Sequence, residues 1–121
     1  MEAIKNFRIS VSLYSCRRNT WIIFPVDALK FARQSLKPNS TCMIIEPMAK
    51  DKLKDNINLM GKISYSVLFI VCFPNSLADN GPALGTQTGE ERTRKIAEES
   101  GFSKFKKTTQ TSFNTVYEVK P

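Results

Sequence analysis

Histidine is absent from all 121 residues. It is the one side chain whose unperturbed pKa lies near neutrality, so its absence removes Ser-His-Asp and Cys-His catalysis, His-ligated zinc and His-ligated haem. Cysteine is sparse. Cys16, Cys42 and Cys72 are odd in number and too far apart for a CxxC redox or zinc site, and they read as reduced thiols of an intracellular protein. Long apolar runs are also missing: the longest covers residues 67–73, well short of the roughly 20 residues that cross a bilayer. Residues 1–15 hold no apolar stretch ahead of a small-residue cleavage site. These absences predict a soluble, cytoplasmic chain with no membrane partner.

What is present is ordinary for a small globular domain, with 41% apolar, 24% charged and 10% aromatic residues. The 18 Lys and Arg outnumber the 11 Asp and Glu, for a net charge of +7. A nucleic-acid partner would need that charge gathered on one face. Instead it is spread over Lys5, Arg8, Arg17 and Arg18, a cluster at residues 50–54, and Lys104, Lys106 and Lys107, with Asp51 and Asp55 inside or beside the middle cluster. A solvated surface is the expectation, and nucleic acid is not an expected partner.

Residues 7–14 roughly alternate and suit an amphipathic strand, and residues 21–24 suit a second, shorter one. Pro25 has the fixed φ of a first helical residue, and Leu29, Ala32 and Leu36 follow on one face. The segment Pro38-Asn39-Ser40 closes that helix. Residues 41–46 form a continuous apolar run ended by Pro47, which fits a parallel strand covered on both faces. Residues 50–58 are charged and begin a helix or surface loop. Residues 59–73 are apolar nearly all round; their length favours a largely buried helix, with a β-branched strand as the alternative for residues 67–73. The segment Pro74-Asn75-Ser76 breaks it, and residues 77–89 form an ordered loop.

Thr88-Gly89-Glu90-Glu91 has the form of a capping box, in which hydroxyl and carboxylate each satisfy an orphan N–H. A helix follows through Ile96 and Ala97 to Ser100, Gly101 supplies a left-handed cap, and Phe102 packs back onto it. Residues 105–111 and 113–119 then read as an antiparallel hairpin. The overall pattern is α/β: one parallel strand, helices and a C-terminal hairpin. That strand has no parallel neighbour unless residues 7–14 or 21–24 supply it.

Few residues in this pattern carry chemistry. Gly81, Gly85 and Gly89 fit neither GxGxxG nor GxxxxGK[ST], and no strand leads into them. The helix start at Gly89 offers free N–H groups to a polar ligand, while Glu90 and Glu91 oppose an anion. Glu46 stands where a parallel strand gives out, the place where open α/β sheets bind ligands; it is either such a contact or a strand-end carboxylate that is solvated or bonded to N–H groups. Cys72 reads as a small core residue, with no His to activate it. Trp21 and Tyr65 either line a pocket or sit in the core.

Four segments together resemble a known family. Residues 25–38, the strand Met43-Ile44-Ile45-Glu46-Pro47, residues 51–56, and Ala83-Leu84-Gly85-Thr86-Gln87-Thr88-Gly89-Glu90-Glu91-Arg92 are similar to the C-terminal half of class I S-adenosylmethionine-dependent methyltransferases. The nearest group is one whose methyltransferase domain follows a winged-helix-like domain. Ser100-Gly101-Phe102 and residues 113–121 complete the match, which spans residues 25–121. The resemblance implies a partial Rossmann-like fold with a final antiparallel strand, in which residues 41–46 stand for the fifth strand and the hairpin for the sixth and seventh.

The resemblance also implies what each region would do. The family's Gly-rich loop after the first strand, and the acidic residue ending the second, have no counterpart here, so no cofactor-binding residue is assigned. Residues 1–24 are unmatched and residues 25–121 are the C-terminal part of the methyltransferase domain. That part would face a small-molecule methyl acceptor, with Glu46, Gly85, Thr86 and Glu90 as substrate-binding residues and residues 59–73 as a cover. The chain is expected to be incomplete as a catalyst on its own. The alternative is a non-catalytic interaction module that pairs with a protein partner, or with itself, through an exposed sheet edge.

Overall fold

The computed structural model describes residues 25–81 and 88–121 in full and the backbone of residues 7–12. In chain order the elements are β1 (Phe7–Ser12), α1 (Pro25–Ser35), β2 (Thr41–Pro47), a 3-10 turn (Leu53–Asn56), α2 (Leu59–Ala78), α3 (Glu90–Glu99), β3 (Lys104–Gln110) and β4 (Asn114–Lys120). The expected strand at residues 21–24 lies outside the described residues.

The strands form one mixed sheet in the order β1-β2-β4-β3. β1 pairs parallel with β2, placing Val11 opposite Ile44, so residues 7–12 supply the parallel neighbour that β2 needs. The C-terminal strand does not end the sheet. β4 is wedged between β2 and β3 and runs antiparallel to both, with Ile44 opposite Tyr117 and Lys107 opposite Tyr117 on the other side.

β2 and β4 read differently on their two faces. Cys42, Ile44 and Glu46 are buried while Met43 and Ile45 are half-buried, and on β4 Thr115, Tyr117 and Val119 are buried. The full cover on both faces expected for β2 is therefore realised on one. Leu29 from α1 and Ile96 and Ala97 from α3 join Cys42, Ile44, Tyr117 and Val119 in a single core with Phe102. α1 meets α3 at Ser100, whose hydroxyl donates to Ile96 O at 2.7 Å and lies 3.2 Å from the Val26 carbonyl oxygen. Gly101, at φ +89, ends α3 in the left-handed conformation that suits a residue without Cβ, and the Phe102 N–H donates back to Ala97 O at 3.1 Å.

Three expectations are corrected. Pro74 lies inside α2 without breaking it; Pro74 is exposed and one turn from the end, so the lost bond falls where the helix is about to finish. The true stop is Asn80 at φ 55, with the Gly81 N–H donating to Ser76 O at 2.7 Å. Residues 77 and 78 are thus helical rather than loop, and residues 67–73 are helical rather than a strand. Second, α2 is not largely buried: Leu59, Ile63, Tyr65, Val67, Phe69, Ile70 and Leu77 are all exposed, and only Gly61, Cys72 and Ser76 are buried. Third, the capping box does not form. Gly89 is the N-cap of α3 and no side chain of its own segment caps it.

Candidate functional site

The cap of α3 comes from far along the chain. Asn56 closes a turn with Lys50, accepting from its N–H and donating to its carbonyl, both at 2.8 Å. That turn holds Asp51 so that its Oδ1 accepts from the Glu91 N–H at 2.9 Å. A Cβ on Gly89 would lie 2.8 Å from the Asp51 Cα, so the close approach requires glycine there. A carboxylate at a helix N-terminus satisfies an orphan donor and complements the dipole. It also occupies the end of α3 that an anionic ligand group would use.

Beside this cap lies Tyr117, 1% exposed. Burial, followed by the negative charges of Glu90, Glu46 and Asp51, raises its pKa above the ordinary tyrosine range, while a side-chain hydrogen bond with Thr115 works the other way. Its ring tilts against Phe105 at 4.9 Å between centroids, and the Arg94 guanidinium lies 4.5 Å over the other ring. Arg94 returns to Glu90 at 3.2 Å, one helical turn away, and Lys107 reaches the other oxygen of Glu90 at 4.0 Å. Glu46, 6% exposed, sits opposite Thr115 at the end of β2.

Two of the four expected site residues, Glu46 and Glu90, therefore act by charge on one buried phenol, and Gly85 and Thr86 lie outside the described residues, as does Trp21. Glu46 is not the solvated strand-end carboxylate that one reading allowed. Asp51, Thr115 and Tyr117 were missed. Tyr117 was findable in principle, since Thr115, Tyr117 and Val119 alternate along the last strand, but its meeting with Glu46 depends on a strand register that the sequence does not state.

The chemistry available here is hydrogen bonding and charge placement. A phenol held protonated donates and does not serve as a base at neutral pH. Cys42 is buried and its thiol is pushed up to about 11 by desolvation, so it is not a reactive thiolate at neutral pH; Cys72 is also buried. Among the described residues no group of three or more His, Cys, Asp or Glu could hold a metal ion. Gly81 follows α2 rather than a strand, and the helix start at Gly89 is taken by Asp51.

Tyr65 belongs to neither the core nor this site. It lines an open groove of about 270 Å³ with Leu53, Ile57, Gly61 and Ser66. By length and composition alone α2 could cross a membrane, with a mean hydropathy of 1.2, and it is the one such helix among the described residues.

The fold is thus a small α/β domain with a mixed four-stranded sheet. The chain matches no protein-family model and no curated protein in sequence.

Proposed function

We propose that residues 25–121 are the C-terminal, substrate-side portion of a class I S-adenosylmethionine-dependent methyltransferase, acting in the cytoplasm on a small-molecule methyl acceptor. One observation carries the reading. Residues 25–35, 41–47 and 53–56, which lie in or overlap three of the segments resembling the family, fold as helix, strand and turn, and the final strand β4 is antiparallel to its neighbour β2, as the resemblance implies for the final strand. Supporting it, Glu46 stands near the end of β2, opposite Thr115, where open α/β sheets bind ligands, and its charge and that of Glu90 act on Tyr117. In this reading Glu46, Glu90, Gly85 and Thr86 form the acceptor side, and the neutral Tyr117 lies within reach of the charges of Glu46 and Glu90. Methyl transfer depends chiefly on in-line positioning of donor and acceptor, which such a wall provides.

The second reading, a non-catalytic module pairing through a sheet edge, rests on β1, which has no partner on its outer side among the described strands. The opposite edge suits pairing poorly, because β3 carries Lys104, Lys106 and Lys107.

Calorimetry and transcript mapping test the proposal together. The chain titrated with S-adenosylmethionine is expected to give no binding heat, and a transcript of the same locus is expected to encode a strand followed by a Gly-rich loop ahead of the Pro25 codon. Micromolar affinity would overturn the assignment of this chain to the substrate side alone. Transcripts without any such loop would overturn the methyltransferase reading.

A further inference from the structure

α2 is apolar on two opposite faces. Gly61, Leu68, Cys72 and Ser76 recur at intervals of seven, four and four and turn inward; three of them are buried and Leu68 is half-buried. On the other side Leu59, Ile63, Ser66, Ile70, Phe73 and Leu77 recur at intervals of four and three in strict alternation, which is the seam spacing of a coiled coil. Most of that seam is bare: Leu59 is 73% exposed, Ile70 72%, Leu77 54% and Ile63 49%, while Phe73 is half-buried and stacks on Phe69. With Val67 at 54% and Phe69 at 56% beside it, six large apolar side chains, each about half exposed or more, make one contiguous patch rather than the scattered single residues usual on a monomer, the kind of surface that an interface with a partner covers.

We propose that this face of α2 pairs antiparallel with α2 of a second copy of the chain. The seam is self-complementary. Reversed about its centre, Leu59 meets Leu77, Ile63 meets Phe73, and the small Ser66 meets the large Ile70, so each side chain finds an apolar or smaller counterpart in an isologous two-fold contact. The antiparallel sense also opposes the two helix dipoles and carries Lys62, the sole charged residue of α2, toward the carbonyl end of its mate. A partner recognised by charge has nothing else on this helix to bind. This contact lies away from the Tyr117 site and does not depend on what that site does.

Sedimentation velocity on the whole chain at about 50 µM is expected to give twice the single-chain mass of 13.7 kDa. Ile70→Glu places a charge at the centre of the seam and is expected to weaken association on the order of 100-fold, with circular dichroism unchanged because Ile70 makes little contact with its own domain. Leu59→Glu and Leu77→Lys are each expected to dissociate, and their mixture to recover a dimer, since only the antiparallel register sets residue 59 against residue 77. A monomeric wild type overturns the proposal. So does a dimer indifferent to Ile70→Glu, which would assign association to a sheet edge, and so does a monomer that co-sediments with phosphatidylcholine vesicles. Failure of the mixture to recover a dimer overturns the antiparallel pairing.

Discussion

Replacing Tyr117 with alanine is expected to lower the unfolding free energy by about 3–5 kcal/mol, the range for deleting a large buried aromatic side chain. The residue is 1% exposed, sits on the strand that joins both halves of the sheet, and packs on Phe105 at 4.9 Å. Its loss opens a cavity in the core that Tyr117 shares with Ile96 and Ala97 of α3. Tyr117→Phe keeps the ring and deletes only a hydroxyl, so it should cost about 1 kcal/mol. Urea titrations of the two variants separate packing from hydrogen bonding. Equal, small losses in both would mean that the ring is not a core element.

Alkaline solution is expected to destabilise the fold strongly above pH 9. The Cys42 thiol is 0% exposed and its pKa is pushed from 9.0 up to about 11 by desolvation. A group whose pKa is higher in the folded state binds its proton more tightly there. Its contribution is complete below the unfolded value and disappears as pH rises toward the folded one. For Cys42 the loss runs from about pH 9 to 11 and amounts to on the order of 2–3 kcal/mol. Tyr117 is shifted in the same direction by burial and by the carboxylates of Glu90, Glu46 and Asp51, so its own loss continues above the ordinary tyrosine value. Denaturation at stepped pH should show the decline, and Cys42→Ala should flatten the part between pH 9 and 11. Constant stability to pH 11 in the wild type would contradict the burial of that thiol.

The parts of the fold legible in the sequence are those with local causes. Pro25 opens α1, Gly101 closes α3, and the apolar run at residues 41–46 becomes β2, because each signal acts within a turn or two of where it is written. The hairpin was legible too, with β3 and β4 displaced by about one residue from the expected spans. What escaped notice acts over distance. Asp51 caps a helix that starts 39 residues later, and a plausible local box at Thr88 obscured it. The company that Tyr117 keeps follows from strand register.

α2 shows a different limit. A helix apolar all round reads as buried, since burial is the usual fate of such a surface, yet the sequence cannot say against what. In the structure one face packs inward and the other does not. Pro74 compounded the misreading: it stops a helix when its missing N–H falls mid-helix, and it is tolerated near an exposed end. At the site, Glu46 and Glu90 were legible as carboxylates at element ends. Thr115 and Tyr117 look like ordinary strand residues until β4 is laid beside β2.

The methyltransferase reading and the surroundings of Tyr117 rest on the last strand lying between β2 and β3. Cross-strand nuclear Overhauser effects on the isotopically labelled chain test that placement most directly. The account predicts contacts from Tyr117 backbone protons to Ile44 on one side and to Lys107 on the other, and from Glu46 to Thr115. Direct contacts between residues 41–47 and residues 104–110, with β4 at the sheet edge, would contradict it.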